Sequence, residues 1–509
     1  MAFLSRLGLY LLLAGFGLWL YTLTLNEFTL TPTLISSHLK PEHQATLGVR
    51  LQPLVQKTFQ SGWEFTYAFD TILNNLNNEY RTAQQWDKVI YDEYSFAITK
   101  AAASGSLKQQ PWLWFGLTFG LIIVGALLFI LPALTQLAGN KNNGIFHDAS
   151  TNRGWIAKII GAFLILFYIT LYYYPQYLAN WTMLVDPISK ALNGAEASRW
   201  FLYGFIYTVC VLVMGVRMAI KYRHNRYQQV RTASVVFFQT AVAFLLPEIL
   251  VSLNKPYFDF KNIWPLDYDF FFDYNLNSLL QSGNLGIFML VWGIALFVVG
   301  VPILTYFFGK RWYCSWVCGC GGLAETLGDP YRQLSDKSLA VWKIERYLIH
   351  AVLGAAVVMT AMVLYTYFSG SSSVLFIDSY SVRSLYGFWI GGIFAGVVGT
   401  GLYPMMGNRV WCRFGCPLAA YLGMWQRKKS RFRITTNGGQ CISCGNCSTY
   451  CEMGIDVRAY AQRGQDIVRS SCVGCGICSA VCPRGVLNLE NASENSRVMV
   501  APEVLLGNK

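Results

Sequence analysis

Eight stretches of this chain stay apolar for about twenty residues, the length at which a helix crosses a bilayer. They run at roughly 4–25, 111–136, 155–175, 200–220, 233–254, 284–308, 344–368 and 384–406. In hydrocarbon, backbone N–H and C=O groups must be satisfied within the protein, and continuous apolar runs do this as helices. The fold class expected is therefore an α-helical integral membrane protein of about eight transmembrane helices. Charged residues make up 13% of the chain, well below the roughly 25% of soluble domains. An aromatic content of 16% excludes disorder. The first run is longer than a signal-peptide core and no A-x-A-like cleavage site follows it, so 1–25 reads as an uncleaved anchor.

The formal net charge is +13, yet no long Lys/Arg tract suggests a nucleic-acid partner. The basic residues instead follow the spans. Lys141, Arg153 and Lys158 lie in one loop, Lys221, Arg223, Arg226 and Arg231 in another, and Lys310 and Arg311 in a third. Arg409, Arg427, Lys428, Lys429, Arg431 and Arg433 follow the last span. Eight spans put all of these on one side with both termini, and leave few, such as Lys255, Lys261 and Arg383, on the other. The positive-inside rule makes the basic side cytoplasmic. Segment 26–110 then lies outside. It has no Cys, and only a weak helical spacing at Trp63, Phe65, Phe69, Ile72, Leu73 and Leu76. It reads as an extracytoplasmic helical segment: a cap, a docking surface or a plain linker. The expected order is anchor 1–25, outer segment 26–110, membrane bundle 111–430, Cys-rich domain 431–490 and tail 491–509.

Thirteen of the 14 cysteines lie from Cys314 onward. Cys441, Cys444, Cys447 and Cys451 read C-x2-C-x2-C-x3-C, and Cys472, Cys475, Cys478 and Cys482 repeat it, with Pro483 following. This is the spacing of two-cluster bacterial ferredoxins, in which the fourth Cys of each run reaches the other cluster. One 4Fe–4S cluster is thus assigned to Cys441, Cys444, Cys447 and Cys482. The second is assigned to Cys472, Cys475, Cys478 and Cys451. A small α+β two-cluster ferredoxin-like domain is expected here. Zinc sites favour separated pairs or histidine, and disulfides are rare in the cytoplasm. One departure stands out: Glu452 occupies the position after Cys451 where such runs carry Pro.

A second repeat lies closer to the membrane. Gly309-Lys310-Arg311-Trp312-Tyr313-Cys314, with Cys318, resembles Gly407-Asn408-Arg409-Val410-Trp411-Cys412, with Cys416. Each copy leaves a span and carries C-x3-C. On a helix, i and i+4 share a face, so each motif would present two thiols together. Cys314, Cys318, Cys320, Cys412 and Cys416 are candidate ligands of a further metal or iron–sulfur centre; the alternative is buried structural thiols. Cys210, alone in the fourth span, reads as packing.

Other chemistry is mostly excluded. There is no C-x-x-C-H for c-type haem and no Walker A or Rossmann fingerprint. His350 is the only histidine within a span, which disfavours a bis-His haem. Intramembrane ionisable groups are functional candidates by default. Glu248 and His350 are accordingly candidates for quinone or proton contact, and Asp378 borders the eighth span; ordinary bundle-facing or interfacial polar residues are the alternative.

From about 284 to 490 the chain resembles the membrane-bound polyferredoxins of the NapH, NosR and CcoG type: spans, two C-x3-C motifs, a basic linker and a double-cluster tail. Cys412, Cys416 and Pro417 keep that family's C-x3-C-P form, while Gly319 follows Cys318 in the first copy. The resemblance implies electron transfer between the quinone pool and a respiratory partner, as a quinol dehydrogenase-type subunit in the bacterial inner membrane. Its partners would be lipid, quinone and other redox subunits. It also implies an alternative, an assembly factor that reduces or delivers a metal. No S/T-G-A-T flavin-attachment motif occurs in 26–110, as the NosR type would have. Only about 20 residues follow the clusters, where the CcoG type adds a span and a domain, and the NapH type has fewer spans. The resemblance therefore selects no single branch.

Overall fold

The computed structural model describes residues 2–135 and 150–491; Lys141 and the tail beyond Asn491 lie outside the described residues. Eight helices among the described residues are long and apolar enough to cross a membrane. They are Phe3–Thr24, Pro111–Pro132, Trp155–Tyr173, Arg199–Lys221, Arg226–Ser252, Gly283–Phe308, Leu339–Ser369 and Ser379–Gly401. The fifth begins earlier than its apolar run. Asn225 caps it by accepting from the Gln228 N–H, and Gln228 and Arg231 point into protein, not lipid. Wide π-turns occupy Phe238–Leu245 and Leu296–Gly300, just before Pro247 and Pro302. A proline ring clashes with the carbonyl four residues back, and a π-turn there relieves it.

The chain forms two compact units. The first comprises residues 1–133 and 169–206. Its first two spans pack backbone to backbone: a Cβ on Gly125 would fall 2.4 Å from the Leu12 nitrogen. Small residues at such crossings let membrane helices associate closely. Segment 26–110 is more than helical. Strands Asn26–Thr29, Thr58–Phe59 and Ala103–Gly105 form an antiparallel sheet with the first in the centre, pairing Phe28 with Phe59 and Glu27 with Ser104. Strands this short and this far apart in sequence leave no alternating pattern to read. Helix Gly62–Thr82 buries Phe65, Phe69, Leu73 and Leu76, as the helical spacing predicts. Buried Lys100 pairs with Asp186 at 2.7 Å and donates to the Ala197 carbonyl at 2.8 Å, which fastens helix Ala179–Asn193 to this segment.

The second unit comprises residues 134–168 and 207–509. Its Cys-rich domain is small and α+β. Strand Arg433–Thr436 pairs antiparallel with Leu487–Glu490, and short helices Asn446–Thr449, Val457–Gln462 and Ile477–Ala480 lie between them. One apolar cluster runs from the C-x3-C thiols through Leu418, Leu422 and Phe432 to Ile434, Ile455 and Val473. The membrane base and the ferredoxin-like domain therefore share a core.

Candidate iron–sulfur sites

The two C-x3-C motifs fold alike, but not as continuous helices. Gly309 and Gly407 take φ of +69° and +91°, a region open to glycine, and turn the chain out of the preceding helix. A short helix follows, Arg311–Cys314 in one copy and Val410–Phe414 in the other. It then breaks, with the Cys318 N–H donating to Tyr313 O at 2.8 Å and the Cys416 N–H to Trp411 O at 2.9 Å. Cys318 and Cys416 each become the cap of the next helix, Gly319–Glu325 and Pro417–Lys429. The expected shared helix face is thus replaced by a turn and a cap. Pro417 has no N–H and starts a helix readily, which enforces the break in the second copy. A helix N-terminus suits a thiolate, and the Ala419 N–H donates to Cys416 Sγ at 3.4 Å.

All four of these thiols are buried in one cluster. Burial pushes Cys314 up to about 12 against Lys310, with Cys318 and Cys412 adding to the rise. Burial also pushes Cys416 well up, and Cys412, Cys318 and Cys314 push it further. Cys318 alone falls, to about 6, through a hydrogen bond from Cys320 that outweighs its burial. The two motifs therefore bring their thiols into mutual electrostatic range. Cys314, Cys412 and Cys416 stay protonated unless a cationic centre offsets their charge, while Cys318 ionises most readily.

The ferredoxin-like domain gathers the other eight cysteines into two sets. Cys441, Cys444, Cys447 and Cys482 line a single cavity, with Cys444 exposed. Burial lifts Cys447 to about 11, and Cys482 and Cys444 add to it. In the other set burial pushes Cys478 well up, reinforced by Cys475, Cys472 and Cys451, with Cys447 beyond them. The fourth Cys of each run thus sits with the first three of the other run. Four thiols around one cavity fit the first cluster, and four mutually coupled thiols in a largely buried cradle fit the second.

The second set is clamped to the membrane base. Ser315 Oγ donates to Val473 O, Tyr227 Oη to Gly474 O and Gln228 Nε2 to Cys475 O, each at 2.8 Å. Gln426 Nε2 donates to Cys472 O at 2.7 Å while its Oε1 accepts from Lys310 N at 2.6 Å. Tyr227 and Gln228 lie at a span end, Ser315 in the first C-x3-C motif, and Gln426 in the helix that Cys416 caps.

Behind this loop lies a buried ionic lattice that has no local signature in the sequence. Asp329 accepts from Arg217 and Lys221 at 2.7 Å each and from Arg332 at 2.9 Å. Arg332 also pairs with Glu325 and Glu452. Arg231 and Arg409 pair with Glu325, and Arg409 reaches Glu452 at 3.0 Å and Cys412 Sγ at 3.7 Å. Five cations face three carboxylates, an excess of two positive charges beside the thiols. Glu325 and Glu452 also lie within metal-ligating range of Cys475. Three arginines already hold those carboxylates, so the lattice suits an anionic thiolate centre and not a separate cation.

The remaining candidates are scattered. His350 lines a polar cavity with Lys310, Arg346, Arg427, Arg469 and Cys412. Glu248 is buried in the fifth span, 20 residues from Gln228 and so about 30 Å along the helix from the clamped loop. Asp378 is exposed and caps helix Ser379–Tyr386 through the Ser381 N–H. Cys210 is half-buried within the fourth span.

These sites define a multi-pass membrane protein with ferredoxin-type 4Fe–4S domains. A family model for a 4Fe–4S binding domain matches residues 290–338 and 386–435, and one for a 4Fe–4S dicluster domain matches 440–487. YccM of Escherichia coli (strain K12), assigned to electron transport, is 27% identical over 158 residues, 29% of this chain and 43% of its own length. The methylamine utilization ferredoxin-type protein MauN of Methylobacillus flagellatus is 27% identical over 164 residues, 30% of this chain and 53% of its own length. The chain spans about half the length of the curated relatives it matches. No solved structure matches. The matched regions are similar to ferredoxin-type membrane proteins, with no branch singled out.

Proposed function

We propose that this chain relays electrons between a membrane quinone pool and a redox partner, as one subunit of a larger respiratory assembly. The observation that carries this reading is the succession of three thiol sets: the C-x3-C pairs at the span ends, the clamped Cys451/Cys472/Cys475/Cys478 set, and the set that opens to the surface at Cys444. Iron–sulfur clusters held there would supply one-electron transfer. The chain's own residues hold the sets in order, keep water from the inner two and offset thiolate charge with the arginine lattice. We assign Cys314, Cys318, Cys412 and Cys416 to a third centre, with Cys320 as the hydrogen-bond partner of Cys318. The 4Fe–4S binding-domain match over both motifs supports this. Burial of all four thiols favours a resident centre over the transient ligands that a metal-delivery factor needs.

The basic loops support a bacterial inner-membrane location with the clusters on the cytoplasmic side. Anaerobically purified protein should give iron–sulfur EPR signals that appear on addition of quinol. Protein with full iron content whose clusters stay oxidised under excess quinol would overturn the quinone reading. A reporter fused after Asn491 tests the orientation: it should be active only if it is one that works in the cytoplasm.

A further inference from the structure

The second unit holds a cavity of about 740 Å³, within the range of ligand sites, between the ends of two spans and two of the thiol-bearing loops. Its walls are aromatic: Phe238 from the fifth span, Phe308 at the end of the sixth, and Trp312 and Trp316 from the first C-x3-C motif. Phe308 is 45% exposed, which sets the mouth of the cavity at the end of a lipid-facing helix. The inner wall carries Val317, the neighbour of Cys318, and Gly476, the neighbour of Cys475.

Its polar groups are few and specific. The Tyr227 hydroxyl is taken, donating to Gly474 O at 2.8 Å and accepting from Trp316 Nε1 at 3.2 Å. Trp312 Nε1 is taken by Thr305. Arg311 uses only Nε, which donates to Phe308 O at 3.1 Å, while its guanidinium lies 4.4 Å from the Phe432 ring centre. The Nη1 and Nη2 of Arg311 therefore remain as donors, with the Asn225 amide nitrogen, whose Oδ1 caps the fifth span. Among the described residues no carboxylate lines the cavity.

We propose that this cavity is a binding site for a membrane quinone or quinol headgroup. Aromatic walls suit a flat ring, donors without a nearby carboxylate suit its carbonyl or hydroxyl oxygens, and a mouth at the bilayer edge suits an isoprenoid tail. The polar cavity at His350, lined by four Lys or Arg residues, suits an anion instead. The headgroup would rest against residues that adjoin Cys318 and Cys475, between the C-x3-C set and the clamped set. This inference rests on the quinone reading above and gives it a place.

The test is photolabelling of the purified holoprotein with an azidoquinone, followed by peptide mapping. Label should fall within 225–238 and 308–317, and excess unlabelled quinone should remove it. V317W, which fills the cavity, should abolish labelling with iron content unchanged. R311Q removes the two Nη donors without filling the cavity and should bind about tenfold more weakly, the loss of one charge-assisted hydrogen bond; it decides the matter if V317W fails to assemble. Label centred on His350, label unaffected by R311Q, or a phospholipid resident in the cavity of the purified protein would overturn the site. Those outcomes leave quinol reduction of the wild-type clusters intact, whereas its absence would remove the quinone reading itself.

Discussion

Arg409 lies 3.0 Å from Glu452, and both side chains are wholly buried. One comes from the second C-x3-C motif and the other from the ferredoxin-like domain, at the position where the usual run has Pro. The departure at 452 and the buried arginine therefore explain each other. Removing one partner of a buried pair leaves the other charge uncompensated, at a cost of about 3–5 kcal/mol. Restoring the usual residue, Glu452→Pro, should lower thermal stability by that order, because Arg332 and Arg409 both lose a carboxylate. The double variant E452Q/R409M should lose less than the sum of its single changes. Unfolding midpoints for the four proteins check this, and additive losses would mean that the pair is not coupled.

This lattice marks the limit of what could be read from sequence. The eight spans and the eight ferredoxin cysteines were legible because their signals are local: run length in one case, Cys spacing in the other. The C-x3-C repeat was legible as a motif, but its turn-and-cap shape depends on hydrogen bonds that cross the break. Lys221, Arg231, Lys310 and Arg409 read naturally as loop charges that report topology. In the structure all four are buried, and the partners of three of them are carboxylates far along the chain, with Arg409 and Glu325 84 residues apart. Nothing local distinguishes a basic residue bound for solvent from one bound for a distant carboxylate. The sheet of segment 26–110 was hidden for a similar reason, since its strands are two to four residues long and meet only across long separations.

The crossed cysteine sets predict which substitutions share a phenotype. Cys451→Ser should lose the same EPR signal as Cys475→Ser, although Cys451 lies in the first run. Cys482→Ser should pair with Cys444→Ser. Each change should remove up to about four iron atoms per chain, the content of one cubane. If Cys451→Ser instead matched Cys444→Ser, each run would hold its own cluster.

The C-x3-C thiols make a separate prediction. With three centres the purified protein should carry about twelve iron atoms per chain, against about eight for the dicluster domain alone. Cys412→Ser should remove the difference, whereas Cys320→Ser should keep most of it. Iron that stays near eight in wild type and variant alike, with only a stability loss in the variant, would make these thiols packing residues.

Asp329 sets the expected response to acid. Burial alone would raise its pKa, but Lys221, Arg217 and Arg332 outweigh burial and hold the carboxyl well below the ordinary range. An unfolded aspartate titrates near 3.9, above the folded value, so the ionised form stabilises the fold throughout the range above about pH 4. That contribution should fall away only as pH drops below about 4 and protons bind the unfolded chain first. Asp329→Asn removes the charge that three cations share, so it should be destabilised at pH 7 by about 3–5 kcal/mol. Measured as unfolding midpoints, the gap between wild type and D329N should stay constant from pH 7 to about pH 5 and narrow below about pH 4. A gap that already closes between pH 7 and pH 5 would mean that a histidine or another group carries the acid sensitivity, and that Asp329 does not hold the lattice together.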